Sequence, residues 1–216
     1  GYNAGAAVTT GIKNAIVGGL AAVNFTDAHK NAVLGYQALT TDTKGNRSVA
    51  IGFEALKTQN FTSNTDSDNT AVGNRTGALL TTGKDNTLIG SYAGDAITTS
   101  VSNTAVGRSS LSATTTGDEN SAVGRGSLSG NTTGENNAAL GFNALASNTT
   151  ASNNTGIGSS ALASNTTGTR NTAVGTTSLD ANTTANDNTA IGFDAMSSNT
   201  TGQMNVAVGT YAFDAN

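Results

Sequence analysis

The chain has 216 residues with no Cys, no Pro, one His, 11% charged residues and a formal net charge of −4. Leu, Ile, Val and Phe account for only 38 residues, a share at which a highly charged chain stays disordered, yet here the charge density is too low to hold the chain open. This inventory excludes a disulfide framework, a thiolate metal site and a His cluster, and its scattered basic residues argue against a nucleic-acid partner.

Residues Gly1 to Lys13 match the last thirteen positions of a unit whose later copies start at Asn14, Asn31, Ser48, Asn69, Asn86, Asn103, Asn120, Asn137, Asn154, Asn171, Asn188 and Asn205. Every step is 17 residues except the one from Ser48 to Asn69, which is 21 and places a four-residue insertion within 58–68, expected as a surface loop. The chain begins and ends inside a unit, so residues 1–216 read as a single repeat array belonging to a longer protein. No signal peptide and no apolar run long enough to span a bilayer is present, so direct membrane insertion by this segment is not expected.

The unit reads N-T-A-V-G-x-x-A-L-x-x-N-T-T-G-x-x. Helical repeats need about 33 residues or more, whereas 17 suits one coil of a parallel β-solenoid, giving an all-β fold of roughly twelve and a half coils. Columns one to four, N-T-A-V, are expected as one strand and the A-L region as a second, with the N-T-T-G segment closing the coil. Column four is aliphatic from Val17 and Leu34 to Val208 and is expected to face inward. Column five is Gly in every unit, which points to positive φ at a corner or to close backbone approach. Column nine is large and apolar in nine units, Leu39 to Phe213, and Gly5, Ala22, Gly77 and Gly94 in four; those four carry Val8, Phe25, Leu80 and Ile97 at column twelve, where others carry Asp42, Asn60, Thr114 or Asn131. One core slot filled from two directions explains this compensation.

A coil with so little apolar area offsets its conformational entropy poorly. In-register hydrogen bonding, Asn ladders at column one and burial against other copies of the chain would supply the remainder. Residues able to do chemistry are few. Asp66 and Asp68 in the insertion fall short of a Ca²⁺ cage, Gly83-Lys84-Asp85 lacks the ending of a phosphate loop, and His29 stands at a turn, so no catalytic set, cofactor or metal site is expected. Adjacent Thr residues in the turn do not make the aligned face that ice binding needs.

The segment Ser48 to Gly52, S-V-A-I-G, with its variants N-T-A-V-G and N-T-A-I-G, resembles the head repeat of trimeric autotransporter adhesins, and the longer unit is similar to arrays in bacteriophage tail fibres. The resemblance covers the whole chain and implies a homotrimeric fibre built as a left-handed β-roll, extracellular, on a virion tail fibre or a bacterial cell surface. The 17-residue unit is longer than the adhesin head unit and favours the fibre-type array. The expected role is that of a rigid shaft or head attaching to a cell-surface glycan or protein receptor, with a polysaccharide-cleaving tailspike or a receptor-free surface filament as alternatives. Columns six and seven vary most; packing across a subunit interface is the simpler reading of their Tyr36, Phe53, Tyr92 and Tyr211 and ordinary solvation that of Arg108 and Arg125, and the same six are the candidate surface-contact residues for a receptor. The two arginines share a column, so three chains would form a six-Arg belt suited to anionic glycans. At column seventeen, Arg170 and Asp187 should stack as opposite charges.

Overall fold

The computed structural model describes residues 1–214, which divide into two compact units, Gly1–Arg108 and Ser109 onward. Both are parallel β-solenoids, and no helix occurs among the described residues. In the first unit, strands β1 (Ala15–Val17), β2 (Ala32–Leu34), β4 (Val49–Ile51), β6 (Thr70–Val72), β7 (Thr87–Ile89) and β8 (Thr104–Val106) form a parallel ladder in chain order. The second unit repeats it with β9 (Ser121–Val123), β10 (Ala138–Leu140), β11 (Thr155–Ile157), β12 (Thr172–Val174), β13 (Thr189–Ile191) and β14 (Val206–Val208). Partners lie one repeat apart, as in Thr172↔Thr189, and the register survives the insertion, where Val49 pairs with Thr70.

Two expectations about the coil are overturned. Column four faces outward, not inward: Leu34 and Leu140 are each 49% exposed, whereas the column-three residues Ala50, Leu88 and Ala173 are fully buried. Strand alternation sends columns two and four to one side and column three to the other. The interior already holds columns eight, nine and twelve, which leaves space for little more than a methyl at most column-three positions.

Nor is the A-L region a second strand. Columns six to ten form a turn in which columns seven and nine adopt left-handed backbone, as at Gln37 (φ 56°) and Leu39 (φ 47°). The amide of Gln37 donates back to Gly19 O (3.0 Å), while that of Leu39 donates forward to Ala55 O (3.0 Å). Each coil is therefore bonded to both neighbours without extended geometry, and Lys30 (φ 61°) makes a third left-handed corner at column seventeen.

Column five combines the two expected reasons for Gly. Gly35 has φ 146°, and a Cβ there would lie 2.1 Å from Gly52 O in the next coil. No side chain fits between successive corners.

The shared core slot is present and has a third contributor. Ile97 fills space at Gly94, but the methyls of Leu88 at column three also reach in: a Cβ on Gly77 would meet Leu88 Cδ1 at 2.9 Å, and one on Gly94 would meet Leu88 Cδ2 at 2.8 Å. Ile16 stands over Gly5 in the same way, at 3.0 Å. The reciprocal arrangement occurs at Gly156, where column three is bare and Leu145 occupies the volume, its Cγ 3.2 Å from where a Cβ would be.

Column-one asparagines close each coil and join it to the next. Asn154 Nδ2 donates to Gly168 O of its own coil (2.8 Å), and its Oδ1 accepts the backbone N–H of Asn171 (2.9 Å). A second buried ladder runs along column twelve of the second unit, with Asn148 donating to Asn131 Oδ1 (2.9 Å), Asn165 to Asn148 (3.0 Å) and Asn182 to Asn165 (2.9 Å). Both ladders converge on the carbonyl of column fifteen: Gly168 O also accepts from Asn165 Nδ2 (2.9 Å).

The insertion is more than a surface loop. Residues 62–64 are exposed, but Phe61 is buried, and β5 (Thr65–Asp66) returns to pair with β3 (Gly45–Asn46). Column one of this coil holds the short Ser48, and Gln59, rather than Asn60, occupies column twelve and spans the gap. Its Nε2 donates to Ser48 Oγ (2.9 Å) and Asp42 Oδ2 (2.7 Å), while its Oε1 accepts from Asn69 Nδ2 (3.0 Å).

Candidate functional site

The outward face of each ladder presents columns two and four, and column four carries large aliphatics in every coil. Their order, Val-Leu-Ile-Val-Ile-Val, is the same from Val17 to Val106 as from Val123 to Val208. In the first unit Val17, Leu34 and Ile89 are 57, 49 and 39% exposed; in the second, Val123, Leu140, Ile157 and Ile191 are 37, 49, 37 and 40% exposed. Columns two and four hold no charged residue. Single exposed aliphatics are ordinary; here they recur at the same column in every coil.

Beyond the Gly corner lie the aromatics of columns six and seven. Tyr36 and Phe53, in successive coils of the first unit, are stacked with centroids 5.8 Å apart and an interplanar angle of 14°. In the second unit Phe193 and Tyr211 meet edge to face at 5.5 Å, and the guanidinium of Arg125 lies 5.5 Å from the centre of the Phe142 ring. Tyr92 is exposed at column seven and Arg108 at column six. Among the candidate contact residues, then, Tyr36 and Phe53 are brought together, whereas Arg125 and Tyr211 pair with Phe142 and Phe193.

Several charged groups elsewhere are engaged locally. His29 is half-buried: its Nδ1 accepts the Ile12 N–H (3.1 Å) and its Nε2 lies 3.1 Å from Asp27 Oδ1. The hydroxyl of Thr10, followed by His29 and Lys44, holds the Asp27 carboxyl below its ordinary value against partial desolvation. In the insertion, Arg47 lies 3.1 Å from Asp66 and 3.9 Å from Asp68. Arg170 donates to both carboxylate oxygens of Asp187 (2.6 and 2.9 Å), the expected column-seventeen stack.

Asp42 is the fully buried carboxylate beneath the insertion. Its Oδ1 accepts the N–H groups of Gly45 and Phe61 (3.0 Å each), and burial pushes its pKa up against these donors and Gln59. Burial likewise raises Asp95 and Asp180, the latter also through the charges of Asp194 and Asp214. The Asp214 carboxylate accepts from Ser197 and Ser198 at 3.0 and 2.8 Å, beside a concavity lined by Ser198, Asn199, Phe213 and Asp214. Among the described residues no three His, Asp or Glu converge in a way that could hold a metal ion, and no helix is long and apolar enough to cross a membrane.

No family model, curated protein or solved structure matches the chain. What the molecule offers a partner must therefore be read from its surface. The residues missed in the sequence are those of columns two and four, because large aliphatics were assigned inward. The available signal was column three, whose size changes with column nine: Leu88 accompanies Gly77 and Gly94, and Gly156 accompanies Leu145.

Proposed function

We propose that the chain is a structural and adhesive segment of an extracellular fibre: a homotrimeric shaft or head, borne by a virion or a bacterial surface, that attaches to a cell-surface glycan or protein receptor. The observation that carries this reading is the division of labour among columns. Among the Gly, Asn and apolar columns, every nearly invariant one except four has a partner inside the coil stack, in the Asn ladders, the Gly corners and the shared core slot. The conserved chemistry left over is an uncharged aliphatic row, fitted to self-association, and the variable columns six and seven carry exposed aromatics and arginines, fitted to a receptor. Tyr and Phe faces stack on sugar rings, and Arg108 and Arg125 suit anionic glycans. Weak contacts repeated on each copy act together through multivalency.

Light scattering tests the assembly and a glycan array with cell binding tests adhesion, both on the 216-residue chain. The expected results are three copies per particle and binding that weakens in Arg108→Ala/Arg125→Ala and in Tyr36→Ala/Phe53→Ala. A monomer at working concentration would remove the trimer. Polysaccharide turnover abolished by one Asp or Glu substitution would replace adhesion with catalysis.

A further inference from the structure

We infer that columns six and seven of the second unit hold a binding site for an acidic oligosaccharide laid along the coil stack, its carboxylate on Arg125 and its following sugar rings over Ser159 and Thr176, between Phe142 and Phe193. The inference rests on the receptor-binding reading above and names the ligand class, its seat and the direction in which it lies.

Column six reads Arg125, Phe142, Ser159, Thr176 and Phe193 in successive coils, so two small hydroxyl residues stand between two half-exposed aromatic ones. Three coil steps of about 4.8 Å, roughly 14 Å in all, separate the aromatics and leave room for a pair of pyranose rings. Each aromatic is backed from the coil outside this stretch: the Arg125 guanidinium lies 5.5 Å from the centre of the Phe142 ring, and Tyr211 meets Phe193 edge to face at 5.5 Å. The faces left to a ligand look onto Ser159 and Thr176. Sugars suit such a seat because their rings carry an apolar face for the aromatics and hydroxyls for the Ser159, Thr176 and Asn143 side chains. The platform is also rigid. The column-six carbonyls of Arg125, Phe142, Ser159, Thr176 and Phe193 each accept the column-seven amide of the next coil at 2.8 to 3.1 Å, so little ordering is left for binding to supply.

Charge sets the ligand class and its direction. Arg47, Arg75 and Arg170 each pair with a carboxylate, whereas Arg125 has no carboxylate partner among the described residues and packs on a ring instead. Its planar fork is therefore free to take a carboxylate through two parallel hydrogen bonds. At the far end stands Asp194, which accepts from the Thr177 hydroxyl and acts on the neighbouring Asp180 through its charge. A ligand carboxylate is thus attracted to the Arg125 end and repelled from the Phe193 end.

An array carrying uronic-acid oligosaccharides beside their methyl esters tests the assignment on the 216-residue chain. Retention should be about tenfold or more stronger on the acids, the worth of a charge-assisted pair, and Arg125→Gln should bring it down to the level of the esters. Arg170→Gln removes the same charge from column seventeen and should leave the preference intact. Ser159→Phe places in the gap a side chain that column six already accepts at Phe142; it should weaken retention on acids and esters alike by a similar factor while the circular dichroism of the coil is retained. Equal retention on acids and esters, or a preference that survives Arg125→Gln, would overturn the carboxylate site, and undiminished retention of Ser159→Phe would overturn the seat. A chain that binds cells but no glycan would also overturn the inference, whereas one that binds neither would remove the receptor-binding reading itself.

Discussion

Exchanging the partners of one core slot tests whether columns nine and three share a single volume. Leu145 is fully buried at column nine, and Gly156, at column three of the following coil, has a Cβ position 3.2 Å from Leu145 Cγ and 3.4 Å from its Cδ1. Leu145→Ala removes three carbons and leaves a cavity, which costs about 3–5 kcal/mol. Gly156→Val adds three carbons into the space held by Leu145 and Ala161 O, an overpacking that costs about 1–3 kcal/mol. The double variant conserves volume; the same two columns hold Ala22 and Val33, both buried, in a coil where Phe25 at column twelve also fills the slot. Its stability is expected within about 1 kcal/mol of the parent, a coupling of about 3 kcal/mol or more between the two changes. Urea denaturation followed by far-ultraviolet circular dichroism, at fixed protein concentration, measures all four corners of the cycle. If the double variant loses the sum of the single losses to within about 0.5 kcal/mol, the two columns do not share a slot.

Gly35→Ala should lower the denaturation midpoint far more than Gly126→Ala, because the added Cβ meets the Gly52 carbonyl at 2.1 Å in the first case and the movable Asn143 side chain in the second; equal losses would show that the corner can open. Asn148→Ala strips Asn131 Oδ1 of a buried donor and Asn165 Nδ2 of an acceptor, with an expected cost of about 2–5 kcal/mol in the same assay, and a loss under about 1 kcal/mol would show the ladder to be dispensable. Burial raises the folded-state pKa of Asp42, so its stabilising contribution is fully present below the unfolded value near 3.8 and is lost as pH rises through the folded value. Relative to Asp42→Asn, the parent should therefore lose stability as pH rises above about 4, and a parent that gains stability over the variant with rising pH would reverse the assignment. Asp187→Asn removes an exposed ion pair and should leave the midpoint nearly unchanged in physiological salt.

The period, the all-β class, the Gly corner and the column-nine to column-twelve exchange were legible in the sequence because each depends on a single residue type recurring at a fixed place. Side-chain direction was not. Column four looked like a core because its residues are large, yet a three-residue strand can turn its bulk outward when Leu39 and its equivalents already fill the interior from a left-handed turn. That turn was itself misread as a strand, since Ala38-Leu39 carries no Gly to announce positive φ. At the insertion, Gln59 replaces the reach that Ser48 lacks, a compensation between residues eleven apart that periodicity cannot display. The aromatics of columns six and seven were found by their variability, but the apolar face beside them was hidden by the wrong assignment of column four.

Closure of each coil by its own asparagines has a kinetic consequence. The ladder bonds join residues 14 to 17 apart, as from Asn154 to Gly168 and from Asn171 to Asn154, so the relative sequence separation of native pairs is only about 0.08, in the range of helical bundles rather than of sandwiches. Folding can start at any coil and spread by adding neighbours, and the entropy of closing the next loop stays constant as the array lengthens. Whole coils can then be gained or lost by recombination without renegotiating the remainder, whereas a gain of a few residues must be absorbed at a turn, as it is between Phe61 and Asp66.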